Sequence, residues 1–150
     1  KNFQPVTLVS VIFGAEQSRH SVSNYSLILL FVTVCVGTNR QLSKPSDRNH
    51  HYEDLRSRYT NCTEVDGNLE ITWLEEKQID LSFLHHIREV TGYVLIFHAD
   101  VEKIPLPNLL VIRGRTLFEL NNRNDSFALL VVQSKINNLE MPELRGKNAL

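Results

Sequence analysis

Cysteine is scarce in this sequence: Cys35 and Cys62 are the only two in 150 residues. Two cysteines exclude a disulfide-rich scaffold, and their separation of 27 positions lacks metal-ligand spacing. An excess of one charge is also missing. Sixteen basic and 17 acidic residues leave a net charge of −1, which argues against a nucleic-acid partner or a polybasic one. No apolar run reaches the ~20 residues that a membrane-spanning helix needs. The sequence contains no G-x-S-x-G, no P-loop, no H-E-x-x-H and no glycine-rich kinase loop. Carboxylates such as Glu70, Glu75, Glu76 and Asp80 are plentiful, but nothing sets two of them around a pocket, and solvated faces account for them. Catalysis by these residues, a cofactor and a metal site are therefore not expected.

What is present is enough for one domain with a core: 42% hydrophobic and 22% charged residues over this length is ordinary for a globular chain. The two cysteines are either free buried thiols or one bridge. Three glycosylation acceptor triplets, Asn24-Tyr25-Ser26, Asn61-Cys62-Thr63 and Asn124-Asp125-Ser126, tilt the choice toward the secretory pathway, where disulfides persist. The chain opens on Lys1, and its single methionine is Met141, so a missing natural start is expected. The apolar run Leu27–Val36, broken only by Thr33, has the length of a signal-peptide core, with Arg19 and His20 as a weak basic flank. A buried strand leading into Cys35 is the plainer reading. We expect residues 1–32 to be a signal-like or foreign segment and residues 33–150 to form the domain, with a strand starting near Thr33.

A helix is predicted from Ser46 to Tyr59. Ser46 or Asp47 can cap it, and Tyr52, Leu55 and Tyr59 make one apolar stripe. Acids and bases alternate on its other faces, unlike a DNA-recognition helix. The adjacent His50 and His51 are read as solvated in a polar stretch.

The main signal is a repeat. Val65-Asp66-Gly67-Asn68-Leu69-Glu70-Ile71 returns as Val90-Thr91-Gly92-Tyr93-Val94-Leu95-Ile96 and as Ile112-Arg113-Gly114-Arg115-Thr116-Leu117-Phe118, 25 and then 22 residues on. Each copy alternates with period two around its glycine and reads as a short strand. A strand at this spacing is the signature of a solenoid whose coils bury their apolar faces only by stacking. Between strands, Ile104-Pro105-Leu106-Pro107-Asn108-Leu109 is echoed by Leu139-Glu140-Met141-Pro142-Glu143-Leu144 and, more loosely, by Leu81–Ile87; their apolar residues should point into the coil, with prolines setting turns. Residues 119–127 read as an insertion loop and Phe127–Val132 as a strand on a different side of the coil. A further strand is expected just after Leu144, so the domain is expected to be truncated at its C-terminal end.

Several words of this sequence occur, in order, in one family: Val34-Cys35-Val36-Gly37-Thr38, Tyr59-Thr60-Asn61-Cys62, Gly67-Asn68-Leu69-Glu70-Ile71-Thr72-Trp73, Asp80-Leu81-Ser82-Phe83-Leu84, Ile87-Arg88-Glu89-Val90-Thr91-Gly92-Tyr93 and Ile112-Arg113-Gly114-Arg115-Thr116-Leu117-Phe118. Over about three-quarters of its length the chain resembles the first receptor L domain of the epidermal growth factor receptor family, above all its invertebrate forms. The resemblance implies an α+β, mainly β fold: a leucine-rich-repeat-like, right-handed β-helix solenoid with an N-terminal capping helix and a Cys35–Cys62 disulfide. It also implies an extracellular domain of a plasma-membrane receptor tyrosine kinase. Such a domain works with a second L domain to hold an epidermal-growth-factor-like protein, and receptor dimerisation through other domains then activates a kinase that is not in this chain. A truncated or secreted fragment acting as a decoy or an inactive product is the alternative.

The family's ligand contacts fall on two regions. One is the segment after Gly37, where Leu42, Ser43, Lys44 and Ser46 would extend the ligand's sheet. Pro45 lacks an N–H, so Lys44 and Ser46 would supply the main-chain bonds. The other is the exposed sheet face, where Trp73, His98, Glu119, Val132 and Gln133 match contact positions. Strand phase puts Trp73 in register with Leu69 and Ile71, so ordinary core filling competes with an anchor role.

Overall fold

The computed structural model describes residues 6–8, 32–120 and 125–145. Among the described residues the chain is mainly β with one α-helix. Most of its described strands fall into three parallel ladders, built as short apolar words recur and pair side by side.

The first ladder holds β2 (Val32–Val36), β3 (Glu64–Asp66), β5 (Glu89–Val90) and β7 (Val111–Ile112), in register Val34↔Glu64↔Glu89↔Val111. A short strand, β1 (Val6–Leu8), pairs antiparallel on the outer edge of β2. The predicted strand near Thr33 is β2, which starts at Val32. Most of residues 1–32 lie outside the described residues. The second ladder joins β4 (Leu69–Leu74), the first half of β6 (Val94–Pro105) and β10 (Leu129–Val132), with Leu69↔Val94↔Leu129. The third joins the second half of β6 to β11 (Lys135–Glu140), with Asp100↔Lys135.

Between the first and second ladders the chain turns at the repeated glycine, and these glycines stack. The Gly92 amide donates to the Gly67 carbonyl at 2.8 Å, and the Gly114 amide to the Gly92 carbonyl at 3.1 Å. Two positions require glycine for space: a Cβ on Gly37 would run into the Asn68 backbone, and one on Gly92 would run into the Asn68 side-chain oxygen and lie 2.8 Å from both the Gly67 carbonyl and Thr116 Oγ1.

The core sits between the ladders. Val65, Leu69, Ile71, Val90, Val94 and Ile96 are fully or almost fully buried, joined by Ile104 from the end of β6 and by Leu84, Ile87, Leu106 and Leu109 from the connecting segments. The apolar residues of those connections point inward as expected. Ser82–Leu84 forms a single 3-10 turn. The Arg145 amide donates to the Leu110 carbonyl at 3.0 Å; the strand expected just after Leu144 falls mostly on residues 146–150, outside the described residues.

The third repeat departs from expectation. The strand after Gly114, β8 (Phe118–Leu120), does not stack on β6; it pairs antiparallel with β9 (Asp125–Phe127) as a hairpin. Its place beside β6 is taken by β10, on the opposite edge of β6 from β4, so Leu129–Val132 continues the second ladder and does not lie on a different side of the coil. The local word was present, but the insertion postpones the apolar strand that can continue the ladder until Leu129.

Helix α1 (Arg48–Tyr59) packs against β2, β4 and the 3-10 turn. Asp47 is its N-cap, accepting from the His50 amide at 3.0 Å. Leu55 and Tyr59 are buried and Tyr52 partly so, as the stripe predicts. His51 corrects the solvated reading: it is 5% exposed. Its Nδ1 lies 3.4 Å from an Arg40 nitrogen that only donates, so Nε2 carries the proton and donates to the Thr72 carbonyl at 2.6 Å. Cys35 and Cys62 form a disulfide, with Cα atoms 5.8 Å apart, tying the end of α1 to β2.

Candidate functional site

The second ladder has two apolar faces. Leu69, Ile71, Val94 and Ile96 face the core, whereas Tyr93, Leu95, Phe97 and Phe118 form a separate cluster on the opposite face, with Trp73, Leu120, Leu130 and Val132 packed on it. The unbroken run Val94-Leu95-Ile96-Phe97 is the sequence signal for a strand covered on both sides, and a reading fixed on alternation misses it.

Between the second and third ladders the chain bends through three non-glycine residues in the left-handed region: Trp73 (φ 56°), His98 (φ 51°) and Gln133 (φ 50°). The register Thr72↔Phe97↔Val132, with Leu74↔Ala99, places them one above another. Left-handed backbone is uncommon outside glycine and concentrates where a fold over-determines it, often at binding surfaces. The bend also breaks the alternation. Leu69 and Ile71 point inward, but Trp73 packs with the outer cluster, its ring 5.2 Å from Phe97 and 4.5 Å from His98 between centroids. Trp73 therefore leaves the main core and packs, partly buried, on the outer apolar cluster. Its indole N–H is buried without a hydrogen-bond partner among the described residues.

Polar groups gather at this corner. Lys44 Nζ stands 5.7 Å from the Trp73 ring centroid, within cation–π range. His98 Nε2 is 3.4 Å from Glu75, which also pairs with Arg48 at the start of α1. A cleft of about 430 Å³ runs from Trp73 toward α1, with Arg48, Tyr52, Glu75 and Asp80 in its walls.

The structure thus brings Lys44, Trp73 and His98 together, with Gln133 in the same column and Val132 in the adjoining apolar patch. Leu42, Ser43 and Ser46 are exposed on the segment that carries Lys44. Glu119 stands apart, exposed on the β8–β9 hairpin opposite Ser126. That hairpin meets the outer face through Phe118, whose ring is 5.5 Å from Tyr93. Among the described residues the amides of Lys44 and Ser46 have no acceptor within the fold. Sequence reasoning missed Phe97, Leu130 and Glu75. It also placed Glu70 on a solvated face, whereas Glu70 is 2% exposed.

Asn61 is exposed in the turn after α1, with φ 61°; Asn24 and Asn124 lie outside the described residues. Among the described residues no three His, Cys, Asp or Glu side chains are placed to hold a metal, and no helix is long and apolar enough to cross a membrane.

Parallel ladders, stacked corner glycines and the disulfide-tied helix define a class, and the sequence agrees: the chain belongs to the receptor L domain family, which matches residues 61–148. Its relatives narrow this to the epidermal growth factor receptor group. The chain is 57% identical over 112 residues to the epidermal growth factor receptor of Drosophila melanogaster, covering 75% of this chain and 8% of that protein. It is 46% identical over 118 residues to receptor tyrosine-protein kinase erbB-4 of Mus musculus, covering 77% and 9%. To the epidermal growth factor receptor of Gallus gallus it is 42% identical over 117 residues, covering 78% and 15%. The chain therefore spans only a small part of the length of these curated relatives.

Proposed function

We propose that this chain is the first L domain of an extracellular growth-factor-binding region, part of a transmembrane receptor tyrosine kinase. On this reading residues 33–150 are the domain proper and 1–32 a separate segment. The three ladders are the faces of a right-handed solenoid, and α1 caps its N-terminal end. An epidermal-growth-factor-like protein is received on the outer face of the second ladder, flanked by the 42–46 segment, with a second L domain of the same receptor holding the ligand's other side. Dimerisation and kinase activity belong to domains outside this chain.

The observation that carries the reading is the corner column Trp73–His98–Gln133. Three residues hold an uncommon backbone conformation in register, and they present an aromatic anchor next to an apolar face. Beside it runs an exposed segment whose Lys44 and Ser46 amides are free to extend a partner's sheet. The names of the relatives, receptors for epidermal growth factor and receptor tyrosine-protein kinases, agree with it.

The test is binding of a recombinant epidermal-growth-factor domain to a secreted protein carrying this chain and its second L domain. Trp73→Ala should weaken binding at least tenfold, about 1.4 kcal/mol. Val36→Ser, on the first ladder and 61% exposed, should leave it unchanged. A folded wild-type protein that shows no binding overturns the proposal.

A further inference from the structure

Glu70 has no part in the surface just described, yet its surroundings are built around it. It lies in β4 between Leu69 and Ile71, whose side chains enter the core, so its own side chain leaves on the opposite face. At 2% exposure the carboxylate is out of water, and among the described residues no Lys or Arg side chain bridges it. Instead it accepts three hydrogen bonds. Oε2 takes the Arg40 amide at 2.7 Å; Oε1 takes the Gln41 amide at 2.9 Å and the Tyr93 hydroxyl at 2.7 Å. A buried carboxylate without a cation persists only where such donors replace its hydration.

Two of the three donors are consecutive backbone amides at the start of a tight turn. The Ser43 amide closes that turn on the Arg40 carbonyl at 3.1 Å, and Gln41 sits within it at φ 54°. Glutamine gains nothing of its own in the left-handed region. The carboxylate holds both amides pointing inward, and this sets the direction in which Leu42, Ser43 and Lys44 leave the fold. The other contacts of this segment are side-chain ones, among them Arg40 to Asp54 at 3.0 Å, Arg40 to His51 at 3.4 Å and Lys44 over the Trp73 ring, and they do not fix the backbone of the turn.

We infer that Glu70 is a positioning residue: its buried carboxylate clamps the Arg40–Gln41 backbone and so presets the 42–46 edge for its protein partner without touching that partner. The inference rests on the proposed role of residues 42–46, but its first test needs no ligand. In the free full chain, amide hydrogen exchange should show Glu70→Gln losing protection at Arg40, Gln41 and Ser43 by at least tenfold, because the new NH2 group faces a donor. The Val94–Phe97 amides of β6 should keep theirs. Adding Gln41→Gly should restore protection at Ser43, since glycine enters the left-handed region without a clamp. Glu70→Gln keeps the size of the side chain, so together with the Gln41→Gly double variant it decides without the packing loss of a truncation.

In the two-L-domain protein, Glu70→Gln should weaken binding of the epidermal-growth-factor domain about tenfold through slower association, and Gln41→Gly should recover part of it. Unchanged exchange at residues 40–43 in folded Glu70→Gln overturns the inference, as does loss of protection spread evenly over β6. Altered exchange with no wild-type binding of the growth-factor domain would leave the clamp standing and remove the functional reading instead.

Discussion

Gly92→Ala perturbs the stacked corner directly. Gly92 needs no unusual backbone angle; it needs space. The added methyl group would collide with the Asn68 side-chain oxygen and stand 2.8 Å from the Gly67 carbonyl and from Thr116 Oγ1. Overpacking of this kind costs about 1–3 kcal/mol. Asn68 cannot yield without loss: at 7% exposure, it accepts from the Tyr93 amide at 3.2 Å and the Thr116 hydroxyl at 2.8 Å, and donates to the Thr38 carbonyl at 3.2 Å. Breaking two of these adds about 2 kcal/mol. The expected destabilisation is about 3–5 kcal/mol, a large share of the 5–15 kcal/mol typical of a domain.

Urea unfolding followed by the fluorescence of Trp73, the single tryptophan, would report it as a lower midpoint with an unchanged slope. Gly67→Ala is the contrast. Its φ is 110°, but the nearest atom to the new methyl is 3.5 Å away, so only backbone strain of about 1 kcal/mol applies. In Gly92→Ala/Asn68→Ala one of the three obstructions is gone, and the two losses should fall short of their sum by about 1–2 kcal/mol. A Gly92→Ala loss below about 1 kcal/mol, or strict additivity with Asn68→Ala, refutes the stacked-corner account.

Replacing Cys35 and Cys62 by serine should lower stability by about 3.5 kcal/mol, from the loop entropy released in the unfolded chain, and calorimetry would show it. Burial raises the Tyr59 hydroxyl above its ordinary value of 10.0, and burial followed by the Glu70 carboxylate does the same for Tyr93. These groups favour the neutral form in the fold, so their contribution is intact below pH 10 and declines above it, as unfolded tyrosines ionise while the folded ones do not. The stability of Tyr93→Phe, followed by urea unfolding, should therefore fall less steeply than that of wild type as pH rises above 10.0. Delayed tyrosinate absorbance of the folded chain checks the premise. Arg113 bonds both oxygens of Glu89, at 2.7 and 2.9 Å, and holds that carboxyl below its usual range. Its contribution is present above the unfolded pKa and lost as pH falls through the folded one. Because Arg113 is exposed, Arg113→Ala should lower the urea midpoint only slightly near neutrality and not at all in strong acid.

Much of the fold was legible because it rests on local repetition. The spacing of Gly67, Gly92 and Gly114 predicted one glycine above another, and the hydrogen bonds between them run that way. The α1 stripe and the inward-pointing Leu81, Leu84, Leu106 and Leu109 were equally readable, since burial there follows from apolar periodicity alone. The site was less so. Trp73 has the strand phase of a core residue; a left-handed bend, unmarked by glycine, turns it to the other face. His51 and Glu70 look like surface residues in a polar context, and become buried because other parts of the chain supply their partners.

The sequence by itself determined the repeat, the position of the helix, the pairing partner available to each cysteine and the family. All of these depend on residue types at short separations. Tertiary structure alone decided that β10 and not β8 continues the second ladder, that Trp73, His98 and Gln133 form a column, and that Glu70 holds the backbone of residues 40 and 41. Each of those outcomes joins residues distant in the chain. A hydrogen bond or a bend that satisfies groups on separate strands leaves no periodic trace in any one of them.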